Sequence, residues 1–110
     1  MVSNLPLFTG TVTANGQGNT FDLGDLGQLS IVSYLDITAA SGTTPTLNVI
    51  VQDSPDGTIW DTLLTHTQQT GAAINTQRTN GAIGRYIRVS YTVGGTTPSF
   101  TFTVSALMRG

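Results

Sequence analysis

The sequence predicts an all-β protein: a single antiparallel β-sandwich or jelly-roll-like barrel of seven to eight short strands. Three observations carry this. Thr, a strand former, is the commonest residue, while the strong helix formers Lys and Glu are absent. Apolar and polar residues alternate with period two in at least three segments. A unit of strand, Gly-Thr-Thr-Pro turn and strand occurs twice. Residues 34–38 lead to Gly42-Thr43-Thr44-Pro45 and on to 46–51, and residues 86–90 lead to Gly95-Thr96-Thr97-Pro98 and on to 99–104. The turns are 53 residues apart (95 − 42) and the first strands 52 (86 − 34).

Residues 1–6 read as an extended N-terminal arm ahead of a sandwich domain at 7–110, because they show no periodicity and Pro6 opposes regular pairing. A first strand follows, with Phe8, Gly10, Val12 and Ala14 alternating with Thr9, Thr11 and Thr13. Asn15-Gly16 is a two-residue hairpin signal, and Gly16-Gln17-Gly18 reads as a hairpin turn rather than a phosphate loop, since the chain has no Lys. Residues 21–27 are a Gly/Asp-punctuated loop anchored by Phe21, Leu23 and Leu26. In the second strand Leu29, Ile31, Leu35 and Ile37 share one face, with Ser33 as the gap.

Leu47, Val49 and Val51 mark the inner face of the third strand. Asp53-Ser54-Pro55-Asp56-Gly57 then fits a type I turn. The fourth strand, 58–65, carries inward either Trp60 and Leu64 or Ile59 and Leu63. Residues 68–84 are polar and Gly-rich and read as one weak strand with two loops, Ala72, Ala73 and Ile74 being the buried group. Ile87, Val89 and Tyr91 share a face, as do Phe100, Phe102, Val104 and Ala106. The repeat predicts one core from Leu35, Ile37, Leu47, Val49, Val51, Ile87, Val89, Phe100, Phe102 and Val104.

Composition narrows function. The chain has 110 residues and reads as one domain. Only 9% of residues are charged and the net charge is -2, so no basic footprint for nucleic acid exists. There is no Cys, hence no disulfide or thiolate metal site. No signal peptide and no membrane span are visible, and folding in a reducing cytoplasm is expected. A neutral surface of Thr, Ser, Asn, Gln and Gly suits contact with another protein.

Catalytic patterns are weak. His66 is the sole histidine, lies among Thr and Gln, and reads as a solvated or interface residue. Asp53, Asp56 and Asp61 lack the alternate spacing of a calcium loop, and Pro55 intervenes. No cofactor or metal is expected, and no enzyme. Trp60 with Tyr34, Tyr86 and Tyr91 offers an aromatic platform for sugars or, alternatively, a cap on the core. Tyr86 and Arg88 share the polar face of their strand, and both types are enriched at binding hot spots. Asp36 occupies the position equivalent to Arg88 in the other repeat, so both should point outward. If the two hairpins meet across a subunit boundary, Asp36 and Arg88 form a pair; otherwise both are solvated. Tyr86, Arg88, Asp36, Trp60 and Leu5 are the candidate partner-binding residues.

The stretch Val-Ile-Val-Gln-Asp-Ser-Pro-Asp-Gly-Thr-Ile-Trp at 49–60, with Gly84-Arg85-Tyr86-Ile87-Arg88-Val89-Ser90-Tyr91 and Gly95-Thr96-Thr97-Pro98-Ser99-Phe100, resembles small structural proteins of tailed bacteriophages. Similar patterns occur in discoidin-like and other sugar-binding jelly rolls. The phage resemblance covers about half of the chain. It implies a capsid decoration (cement) protein that is made in the host cytoplasm, sits on the virion surface and stabilises the shell. Its partners would be the major capsid protein and itself, as a homo-dimer or homo-trimer, with no nucleic acid and no membrane. The alternative is a carbohydrate- or receptor-binding module of a tail or fibre; a tail-tube or head–tail joining protein is a third.

Overall fold

The structure, a computed structural model, describes residues 2–23, 30–80 and 83–109. Among them are seven strands: β1 (Val2–Val12), β2 (Gly16–Gln17), β3 (Phe21–Asp22), β4 (Ser30–Ser54), β5 (Asp61–Thr65), β6 (Ala73–Asn80) and β7 (Tyr86–Arg109). All pair antiparallel within one sheet. The all-β class stands, but two strands are long, at 25 residues for β4 and 24 for β7. These two run side by side from Ser30↔Arg109 to Ser54↔Tyr86 as a single ribbon.

The ribbon turns a corner at the repeated motif. Thr43 pairs with Thr96, its own equivalent under the 53-residue offset, so the repeat meets itself about a local two-fold. Gly42 and Gly95 have φ of 113° and 105°, and Thr44 and Thr97 have φ of 47° and 44°. A Cβ on Gly42 would fall 2.8 Å from the Thr97 carbonyl oxygen, and one on Gly95 2.7 Å from that of Thr44. Each glycine therefore lets the other copy's backbone approach. The two motifs are corners of one ribbon, and the hairpin reading is corrected. Left-handed backbone and close approach mark a corner as well as a turn, and the sequence does not say which.

Past the corner the ribbon halves gain different neighbours, and the sheet folds into two layers. The first layer runs β1, β7 (99–109), β4 (30–41), β6. The second runs β2 and β3, β7 (86–94), β4 (46–54), β5. Between them lies one core, containing all ten residues that the repeat places inward, with Leu7, Val12, Ile31, Leu64 and Ala106. Phe8, Tyr91 and Phe102 tie the layers, with ring centroids 4.9 to 5.9 Å apart.

Four further expectations fail. The arm is not an arm over its described part: Val2 to Pro6 pair with residues 105–109 of β7, and a register shift after Pro6 accommodates the proline. Asn15-Gly16 makes no hairpin; the chain crosses between layers there, Asn15 Oδ1 accepts the Val93 N–H at 2.8 Å, and Gly16 pairs with Tyr91. Ile74 is 73% exposed, because β6 turns Asn75 and Gln77 inward instead. His66 is buried rather than solvated. Residues 55–59 bend the chain between β4 and β5, held by side chains: Ser54 Oγ accepts the Gly57 N–H at 2.8 Å, and Asp56 Oδ1 those of Thr58 and Ile59 at 2.8 and 3.0 Å. Met1, Leu26 and Leu29 lie outside the described residues.

Candidate functional site

The outer face of the second layer brings together Trp60, Tyr86, Arg85 and Arg88. In β7, Ile87 and Val89 are buried, so Tyr86 and Arg88 point outward, as the alternation predicts. Register places Gln52 of β4 opposite Arg88. Arg88 Nε donates to Gln52 Oε1 at 2.8 Å, and its guanidinium carbon lies 4.0 Å from the Trp60 ring centroid. A guanidinium over an indole is an attractive cation–π arrangement, and with the amide bond it fixes Arg88 from two sides.

Tyr86 lies two residues along, with the Arg85 guanidinium 5.4 Å from its ring. Arg85 in turn donates through Nε and Nη2 to the two oxygens of Asp22, at 2.9 and 3.0 Å. Asp53 Oδ2 accepts the Gly84 N–H at 2.8 Å. Beside Trp60 in the chain, Ile59 is 68% exposed. The result is a platform of Trp60, Arg88 and Tyr86 held by contacts that already exist before any partner arrives.

Three of the five candidate residues thus share this face. Asp36 does not: it is exposed on the outer face of the first layer, opposite Ile74 and Thr103. Asp36 and Arg88 both point outward, but from different layers. Leu5 is half-buried against the core, opposite Ala106, away from the Trp60–Arg88 face. The four-aromatic platform is likewise divided, since Tyr91 packs inward and Tyr34 sits on the first layer. Gln52 and Arg85 are the contributors that sequence reasoning missed. A usable signal for Gln52 was its outward parity beside inward Val51.

His66 and Asp56 are engaged in structure. His66 Nδ1 lies 2.8 Å from Asn75 Oδ1, and Nε2 lies 2.9 Å from Ser33 Oγ. Asn75 Oδ1 also accepts the Thr67 N–H at 3.3 Å. That oxygen is an acceptor, so Nδ1 carries the proton and Nε2 accepts from the Ser33 hydroxyl. Burial pushes the His66 pKa below its ordinary value, and the Asn75 bond opposes this. The Asp56 pKa is lowered chiefly by the Ile59 N–H, then by that of Thr58. Among the described residues no group of three or more His, Cys, Asp or Glu stands close enough to hold a metal ion.

No protein-family model matches the chain, and no curated protein matches it. Solved structures do. The exported protein XepA of PBSX matches 98% of this chain at 12% identity and a TM-score of 0.68, and this chain spans 37% of XepA. Infectious bursal disease virus, Gt strain, matches all of it at 13% identity and a TM-score of 0.57, over 33% of that chain. The xylanase 10B of Clostridium thermocellum, its CBM22-1 and GH10 modules complexed with xylohexaose, matches 99% at 12% identity and a TM-score of 0.53, over 26% of that chain. What is shared is the fold.

Proposed function

We propose that this chain is a non-enzymatic virion structural protein of a tailed phage, a capsid decoration protein that binds the outer shell and stabilises it. The observation that carries the reading is the pre-ordered Trp60–Arg88–Tyr86 platform on an otherwise weakly charged sandwich. Arg, Trp and Tyr dominate binding hot spots. An Arg already held by Gln52 and Trp60 loses less side-chain freedom when a partner docks. The likeness in fold to a PBSX protein and to a virus particle supports the class, and the structural engagement of His66 and Asp56 supports a role in binding over catalysis. A protein that binds only the assembled shell stabilises it by mass action.

The test is co-sedimentation of the purified chain with the expanded capsids of its own phage. Trp60→Ala and Arg88→Ala should each weaken capsid binding at least about tenfold, equivalent to about 1.4 kcal/mol, while leaving the fold intact. Absence of binding by the unaltered chain would refute the proposal. A second reading, a sugar-binding module of a tail or fibre, draws on the exposed edge of the same aromatic platform. Glycan-array binding that disappears in Trp60→Ala, without capsid binding, would favour it.

A further inference from the structure

The outer face of the first layer is the other broad surface, and its chemistry is different. In β4 Ile31, Ser33, Leu35 and Ile37 are buried, so Val32, Tyr34 and Asp36 point outward. Register sets Arg78 opposite Val32, Thr76 opposite Tyr34 and Ile74 opposite Asp36, and directly opposed residues share a face. Of the three large hydrophobic side chains exposed among the described residues, two are here: Tyr34 at 39% and Ile74 at 73%. Asp36 and Arg78 are both exposed, and neither makes an ion pair or side-chain hydrogen bond among the described residues. Toward β1 the face carries hydroxyls bonded to one another or to the backbone: Thr9 to Thr103 at 3.1 Å, Thr11 to Thr101 at 2.8 Å, and Thr38 onto the Thr101 carbonyl at 3.3 Å. Hydroxyls already bonded can be covered without the penalty of an unsatisfied polar group.

We infer that this face is a self-association interface, and that its occupant is a second copy of the chain packed face to face about a two-fold axis. The charges make the face self-complementary. Asp36 and Arg78 lie on neighbouring strands, each two residues from the Tyr34–Thr76 pair and in opposite directions. At about 3.3 Å per residue each is some 7 Å from that pair along the strand. A two-fold axis running across the strands at Tyr34–Thr76 exchanges the two ends. It brings Arg78 of the second copy over Ile74, one strand spacing of about 4.8 Å from Asp36, and Asp36 of the second copy over Val32, one spacing from Arg78, so the long arginines reach both carboxylates together around Tyr34. Such isologous pairing is the usual geometry of a homodimer. Four strands about 4.8 Å apart and some eight residues long give roughly 500 Å² per copy, which meets the roughly 1,000 Å² total that a specific interface needs. The inference does not rest on capsid binding, which is assigned to the opposite layer, so either can fail alone.

The experiment is sedimentation equilibrium on the unaltered chain, on Asp36→Arg, on Arg78→Asp, and on an equimolar mixture of the two variants. The unaltered chain should dimerise. Each variant alone should place like charges together twice and raise the dissociation constant at least tenfold. The mixture should restore dimers, because each Arg at position 36 then faces an Asp at position 78 and each Asp at 36 faces an Arg at 78. Near-ultraviolet circular dichroism checks that the variants are folded. Tyr34→Ser with Ile74→Ser, which leaves the charges alone, should weaken the dimer as well. A monomeric unaltered chain, a dimer indifferent to these changes, or variants that do not recombine would each overturn the inference. A monomer whose first-layer variants lose capsid binding would assign the face to the capsid instead.

Discussion

The two layers of the sandwich are halves of the same ribbon, joined at corners of the same sequence, yet their outer faces differ in how they treat charge. On the second layer Arg88 is held by Gln52 and Trp60, Arg85 by Asp22, and Asp53 by the Gly84 N–H. On the first layer Asp36 and Arg78 stand exposed without such partners among the described residues, beside Tyr34 and Ile74. One face is ordered in advance; the other is completed only by something complementary. A repeated sequence thus fixes the shared inner frame and leaves the outer faces free to diverge.

The most severe way to break the comparison is through the core that both layers share. Phe102→Ala, from the first layer, should destabilise by about 3–5 kcal/mol, and Ile87→Ala, from the second, by about 2–5 kcal/mol. Both are buried in one cluster. Urea unfolding followed by fluorescence and circular dichroism should show one cooperative transition in each case. Two separate transitions would mean that the layers are independent units.

The corner sharpens the comparison next. Gly42→Ala and Gly95→Ala each force a Cβ to within 3 Å of the other repeat's backbone at positive φ. Each should destabilise by about 1–3 kcal/mol, and by similar amounts if the local two-fold governs the corner. A large loss for one and none for the other would show that the motifs only look equivalent.

How much of this was legible varies with the range of the contact. Inward faces follow from local alternation, which is why the ten repeat-derived core residues and the outward pair Asp36 and Arg88 stand where expected. The repeat itself was legible, but its pairing was not. Gly-Thr-Thr-Pro encodes a local backbone shape, whereas the partner of Thr43 is Thr96, fixed only by the fold. The same limit applies to Asn15-Gly16 and to the first six residues, whose pairing partners lie far along the chain. His66 looked solvated because its polar environment comes from Ser33 and Asn75. The gap at Ser33, a hydroxyl on an otherwise apolar inward face, was the available sign of a buried polar partner. Of the candidate site, residue types picked Tyr86, Arg88 and Trp60, and outward parity placed Tyr86 and Arg88, whereas alternation left Trp60 inward in one of its two readings. Nothing local distinguished Asp36 from them, or revealed that Leu5 faces the core.

His66 provides a pH test of the seam between the layers, since it bonds to Ser33 of β4 and Asn75 of β6. Its folded pKa is lowered from 6.5, mainly by burial. Above 6.5 the imidazole is neutral in both states and contributes no pH dependence. As pH falls through 6.5 the unfolded chain takes up a proton that the folded protein resists, so stability declines, with a limiting slope of about 1.4 kcal/mol per pH unit. Asp56 acts in a separate window: its pKa is lowered from 3.8, so its contribution is present above that value and is lost as pH falls below it. Urea midpoints between pH 7.5 and 5 should therefore fall in the unaltered protein and stay flat in His66→Gln. An equal fall in both would remove His66 from the effect.

The smallest effect separates the two faces most directly. Asp22 and Arg85 pair through two hydrogen bonds, but their side chains are 47% and 46% exposed, so solvent and salt screen them. Such a pair contributes about 0–1 kcal/mol to a single chain. Asp36 and Arg78 have no bond in the single chain, and their coupling there should be indistinguishable from zero. Double-mutant cycles with Asp22→Asn and Arg85→Gln, and with Asp36→Asn and Arg78→Gln, measure both at protein concentrations low enough to keep the chain monomeric. The first cycle should show a coupling that shrinks with added salt, and the second none. Raising the protein concentration should then make coupling appear in the second cycle alone, because only that face gains its opposite charges from another copy. Coupling in the second cycle that equals the first at high dilution would mean Asp36 and Arg78 already interact within one chain, and the contrast between a completed face and an incomplete one would collapse.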